Sequence, residues 1–253
     1  MYLNGVHISD TSAMHFSKLI FRSFLFILCS IVYVANRIKG TDLTFGLIGQ
    51  NQFFIWAIAT IFVVEMCFRF FPSQIESKGC QKQFEINYIP TGTLEAPKID
   101  NAIRTAMVIV SWVGLNLIIA ILFWLGIIDQ GILVLISLAY SVCDMICILF
   151  FCPFQTWMMK NKCCGTCRIY NWDFIMMFTP CILIKHPVAR ILFILAALLC
   201  LQWEILYKKY PERFAENTNE FLQCNGCKEK LCSHKKQLQS FLVEFRKNLE
   251  EKL

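Results

Sequence analysis

The sequence predicts an all-α fold: a polytopic helical membrane protein with five to six membrane segments and a small helical, cysteine-containing tail. Three observations predict it. Hydrophobic residues make up 57% of the chain, above the roughly 45–50% of soluble domains. The excess is gathered in runs rather than spread as a core pattern. Two of those runs, 105–128 with no charge and 132–154 with Asp144 as its single charge, exceed the roughly 20 residues that cross a bilayer as a helix.

The first segment, 17–36, opens with Lys18 and Arg22, where long cationic side chains can snorkel to the headgroups. It resembles the basic and apolar parts of a signal peptide. However, it lacks an Ala-x-Ala-like cleavage site and runs into Asn36-Arg37-Ile38-Lys39, so it reads as a retained helix. The second, 52–71, carries only Glu65 and Arg69. The third and fourth are 105–128 and 132–154, joined by the short turn Asp129-Gln130-Gly131. The stretch 170–184 is apolar but short, interrupted by Pro180 and closed by Lys185-His186-Pro187. The last segment is 188–207, with Trp203 and Tyr207 as interfacial anchors.

Charge sets the topology. Lys18 and Arg22, the 72–100 loop with Lys78, Lys82 and Lys98, and the 155–172 loop with Lys160, Lys162 and Arg168 are all basic, whereas 129–131 has no basic residue. The positive-inside rule therefore places the N-terminus and both loops in the cytosol, with Arg37 and Lys39 dissenting. Two readings of 173–207 compete. Either 170–184 is a short span and 188–207 returns to the cytosol, or 174–184 lies in the interface and 188–207 exits. Ten of the 24 Lys and Arg residues follow Tyr207, which favours a cytosolic tail. The chain thus divides into a transmembrane domain, 1–207, and a tail, 208–253. In the tail, 204–221 reads as a helix broken at Pro211. Leu238, Phe241, Leu242, Phe245 and Leu249 recur at helical spacing further on.

The chain has 14 cysteines, and two groups flank the last hydrophobic stretch. Cys163-Cys164-Gly165-Thr166-Cys167 precedes it; Cys224-Asn225-Gly226-Cys227, followed by Cys232 and His234, comes after. Cys-x-x-Cys turns present two thiolates to one metal, as in zinc and iron–sulfur sites. If both groups share the cytosolic side, where thiols stay reduced, Cys164, Cys167, Cys224 and Cys227 can form one four-sulfur site with Cys163 and Cys232 as substitutes. The spacing fits zinc or an iron–sulfur cluster equally, and it also suits redox-active thiols with no shared metal. No repeated ferredoxin-type run is present, and Cys152-Pro153 stands without one. Cys29, Cys67, Cys143, Cys147, Cys181 and Cys200 lie in apolar surroundings where cysteine packs as a small hydrophobe, and Cys80 stands alone in its loop.

Inside the membrane, Asp144 costs on the order of 3 kcal/mol unless it faces protein or water and has a partner or a task. Ser141 and Cys147 share its helix face. It reads either as a proton or cation site or as a protonated side chain in an interhelical hydrogen bond. Glu65, four residues before Arg69, suggests a helical ion pair, and Asn116 suggests helix association. There is no phosphate loop, dinucleotide fingerprint, His-Glu-x-x-His or nucleophile elbow, and no basic–aromatic pattern for nucleic acid. The four histidines do not suggest a bis-histidine haem. Enzymatic activity is left open.

The functional expectation is an integral membrane protein, set in a bacterial inner membrane for want of eukaryotic sorting signals, with a cytosol-facing thiolate centre for redox or electron transfer. The alternatives are a small ion or metal transporter with Asp144 in its path, or a scaffold with structural zinc. Its partners are the lipid bilayer, a redox protein, and in one arrangement a second copy of the chain.

Overall fold

The computed structural model describes residues 2–3, 6–7, 10–39, 52–72, 81–93, 95–98, 102–161 and 163–224. Apart from a two-residue antiparallel pair, β1 (Tyr2–Leu3) with β2 (Val6–His7), these residues are helices and turns. Four helices are long and apolar enough to cross a membrane: α1 (Asp10–Ile38), α3 (Ala102–Trp124), α4 (Gln130–Leu149) and α6 (Pro187–Lys209). Between the first two lies α2 (Gln52–Phe70). At 1.5 Å per residue α1 is about 43 Å long, so part of it stands outside a hydrocarbon layer of about 30 Å.

Local chemistry explains the boundaries. The turn after α3 passes through Gly126 at φ +73°, a conformation that suits a residue without a Cβ. Asp129 then caps α4, its Oδ1 accepting from the Ile132 backbone N–H at 2.9 Å, while Tyr33 of α1 donates to its other oxygen at 2.9 Å. Pro187 occupies the first turn of α6 and the His186 ring accepts from the Val188 N–H at 3.3 Å. That pairing suits proline, whose missing N–H costs nothing there.

The short segment is the centre of the bundle. α5 (Asp173–Phe178) passes into a tighter turn, Thr179–Leu183. Pro180 cannot donate to an α-helical ladder, and its ring disfavours continuing one. Together these eleven residues rise about 19 Å, too little to span the hydrocarbon. They need not span it, because Phe174, Met177, Phe178 and Cys181 are buried among α1, α2, α4 and α6. Phe62 meets Phe178 edge-on at 5.4 Å between ring centres, and Ala196 and Leu199 of α6 are fully buried beside them. Conversely α3 presents Val110, Val113, Leu117 and Ile118 outward, as a lipid-facing helix does.

The start of the tail departs from the sequence reading. No helix continues past Pro211: single turns at Pro211–Arg213 and Glu220–Leu222 fold back on α6 and on 81–93. Asn219, fully buried, donates to the Lys82 and Arg213 carbonyls at 3.0 and 2.9 Å. The Glu220 N–H donates to the Ile89 carbonyl at 2.9 Å. Phe84 and Phe214 both pack on the buried Trp203 ring. A polar residue with two backbone carbonyls to satisfy outweighs the helical propensity of a charged stretch, because those carbonyls would otherwise be buried unpaired. The amphipathic stripe from Leu238 to Leu249 lies outside the described residues.

Candidate functional site

Charge gathers at one end of the bundle: the N-terminal half of α1, the C-terminal halves of α2, α4 and α6, and the start of α5. Arg22 of α1 is its centre. Its side chain is 3% exposed. It donates to Glu65 of α2 at 2.6 Å, to Asp144 of α4 at 3.0 Å and to the Ser141 carbonyl at 3.0 Å, with its guanidinium over the Phe62 ring. Lys18 reaches Glu65 at 3.5 Å. Arg69 pairs with Asp173 at 2.7 Å and lies over the Tyr170 and Phe174 rings. His15, buried one turn before Lys18, has no hydrogen-bond partner for either ring nitrogen.

Four readings of the intramembrane polar residues change with this geometry. Arg22 does not snorkel, because two carboxylates inside the bundle hold it more strongly than headgroups outside would. Glu65 is held by α1, while its helical neighbour Arg69 turns to Asp173. Asp144 has a cationic partner, Arg22, supplied by another helix at 3.0 Å. Asn116 donates to the Trp112 carbonyl of its own helix at 3.0 Å, so this amide bonds within α3 and not across helices.

The cysteine segments sit at this same end. Gln83 donates to the Gly165 carbonyl at 3.1 Å and accepts from Asn171 at 2.8 Å, which holds the Cys163–Cys167 turn. The adjacent Lys82 lies over the Phe221 ring, 5.6 Å from its centre, and its carbonyl takes the Asn219 bond. Two neighbouring loop residues therefore tie down both the first cysteine turn and the tail segment that ends at Cys224. Arg168 pairs with Glu204 of α6, which also accepts from Trp172 at 2.8 Å. Cys224 is exposed and Cys163 partly so, whereas Cys167 is buried. Of Cys164 only the backbone is described; Cys227, Cys232, His234 and Cys80 lie outside the described residues. Among the described residues no three of His, Cys, Asp and Glu come together as a metal-binding group.

The structure brings together a different set of sulfurs. A cavity of about 120 Å³ between α3, α4 and α5 is lined by Cys143, Cys147, Cys152, Cys167, Met176 and Met177, with Asp144 and Asp173 at its edge. The Cys152 sulfur accepts from the Gln155 N–H at 3.4 Å. The helix end between Cys147 and Cys152 gives this pair no recognisable motif; the only signal in the sequence is two cysteines bracketing a predicted helix terminus before a proline. A second cavity, of about 330 Å³, lies toward the opposite end, walled by Leu25, Phe62, Leu138 and Phe178 and reaching Lys185 and His186.

No protein-family model matches this chain, and no curated protein or solved structure matches it either.

Proposed function

We propose that this integral membrane protein crosses a bacterial inner membrane six times, with its N-terminus and its tail in the cytosol, and holds a thiolate metal centre at that cytosolic end for redox or electron transfer. The observation that carries the reading is the Lys82-Gln83 clamp. It brings the Cys163–Cys167 turn and the approach to Cys224 to one end of the bundle, which a shared coordination sphere requires. Cys164, Cys167, Cys224 and Cys227 are the ligands, with Cys163 and Cys232 able to substitute. Four thiolates suit zinc or an iron–sulfur cluster.

Orientation follows from charge. The clamped end carries Lys18, Lys82, Lys98, Arg104, Lys160, Arg168, Lys208 and Lys209; the other carries Arg37, Lys39, Lys185 and Arg190. The positive-inside rule makes the first end cytosolic. A C-terminal reporter fusion tests this, and activity only on the outer side refutes it. Anaerobic purification of the full chain, with assays for iron, acid-labile sulfide and zinc, tests the centre. Serine at Cys164, Cys167, Cys224 or Cys227 should lower metal content, while Cys67→Ser on α2 should leave it unchanged. A folded wild-type sample without iron or zinc overturns the proposal.

One observation favours the transporter alternative: Asp144 lines a cavity. Its ion pair with Arg22 argues for a structural role, so Asp144→Asn should leave cation flux into proteoliposomes unchanged when folded protein is compared. Loss of flux in folded protein would favour transport.

A further inference from the structure

We propose that Cys147 and Cys152 form a second, membrane-embedded site that binds a soft monovalent cation of the copper(I) type between two thiolates. Cys147 lies in the last turn of α4, and Cys152 follows the helix end, where the chain turns back through Pro153 into the wide turn Phe154–Met159. The helix end at Leu149 leaves Cys152 on the cavity that Cys147 also lines. Both thiols line the same cavity of about 120 Å³, and the Gln155 N–H donates to the Cys152 sulfur at 3.4 Å. Wide helical turns of this kind are rare and recur at functional sites.

The surroundings select the ligand class. Soft thiolate and thioether donors favour copper(I), whereas carboxylates and carbonyls favour hard cations. The cavity offers sulfur: Cys167, Met176 and Met177 line it with the pair. Its two carboxylates are already engaged, Asp144 by Arg22 and Asp173 by Arg69, so they are poor ligands for a hard ion. Structural zinc needs four donors, and the described residues offer no cluster of three around this pair. A two-coordinate soft cation needs only the two sulfurs. Loading is an exchange: each thiol gives up its proton, two metal–sulfur bonds form, and one cation and two thiols become a dithiolate complex with net charge −1 and two released protons.

A packing role would not produce this arrangement. Cys181, in the tight turn after α5, is buried against the Ser137 hydroxyl at 3.6 Å and shows how a cysteine packs here as a small hydrophobe. Cys147 and Cys152 instead line one cavity together with Met176 and Met177. The site is independent of the thiolate centre proposed above, since neither ligand belongs to that set, although Cys167 borders both.

The test is a titration of the reduced full-length protein in detergent with copper(I) against a chromogenic competitor. The wild type should bind one equivalent that a Cys164→Ser, Cys224→Ser, Cys227→Ser variant retains. The Cys147→Ser, Cys152→Ser variant should bind at least about 100-fold more weakly, the upper end of what losing even an outer hydrogen-bond partner costs a metal site. In the wild type, copper(I) should shield Cys147 and Cys152 from alkylation, read by peptide mass spectrometry, so the result does not depend on the variant folding. Equal affinity in the double-serine variant, or alkylation of both residues at full copper(I) occupancy, overturns the inference. Loss of binding only when the tail cysteines are removed would assign the metal to the outer centre and equally overturn it.

Discussion

Arg22→Met is the most informative single change, because one guanidinium holds three helices. In the native bundle its side chain is 3% exposed and its carboxylate partners Glu65 and Asp144 are 12% and 15% exposed. Methionine fills similar volume without charge, so the change isolates electrostatics from packing. Glu65 keeps Lys18 at 3.5 Å; Asp144 is left facing the cavity. Removing one partner of a buried pair costs about 3–5 kcal/mol, because the remaining charge stays desolvated without compensation. In a chain of this size each kcal/mol moves the melting point by about 2–4 °C, so a drop of roughly 10 °C is expected.

The rescue is the stronger half of this experiment. Adding Glu65→Gln and Asp144→Asn to Arg22→Met removes the orphaned charges, and neutral replacement of a whole buried ion set is often neutral or stabilising. The triple variant should therefore recover most of the loss. Melting is followed in detergent by fluorescence-detected size exclusion. If Arg22→Met melts within about 2 °C of wild type, a change below about 1 kcal/mol, the guanidinium is solvated and the network does not exist as described. If the triple variant is worse than the single, the loss comes from packing and the electrostatic argument fails.

Two further substitutions probe the rest of the bundle. Gly131→Ala would put a Cβ 2.7 Å from the Tyr33 ring; moving that ring breaks its bond to Asp129 and should cost about 1–3 kcal/mol, typical of overpacking. An unchanged melting point for Gly131→Ala would show that α1 and α4 do not meet there. Asn219→Ala leaves two buried carbonyls unpaired, about 1–3 kcal/mol each, and should speed proteolysis within 211–224 while the bundle still melts as a unit. Wild-type cleavage rates would mean that the tail is not anchored through Asn219.

Long apolar runs with at most one charge made the spans legible, since 105–128 and 132–154 overlap most of α3 and α4. Pro180 correctly flagged the short segment. What was hidden was pairing over long separations: Arg22 finds Glu65 and Asp144 at 43 and 122 residues away, and no local period encodes that. A legible clue existed nonetheless. A cation in one apolar run and acids in two others invite pairing, because each alone would be costly in lipid. The tail misled for the opposite reason. Its charged composition resembles a helix, but its conformation is set by contacts with 81–93, more than a hundred residues upstream. The thiol pair was obscured because Cys147 looks like a packing residue when its helix is read alone, and only the folded chain puts it on one cavity with Cys152.

The charged end also explains why a sulfur-lined cavity can exist inside a bundle. Lys18, Arg22 and Arg69 face Glu65, Asp144 and Asp173, three positive against three negative, so the network is formally neutral. A neutral, internally paired network neither repels a cation entering the cavity nor captures it as a counter-ion. Selection then falls to the softness of the sulfurs that line the cavity. Were Asp144 or Asp173 unpaired, the same cavity would attract hard cations through its carboxylates, and the softness of the site would be lost. On this argument Arg22 and Arg69 have a chemical consequence beyond holding helices together: by pairing with Asp144 and Asp173, they leave the choice of cation to the softness of the sulfur donors.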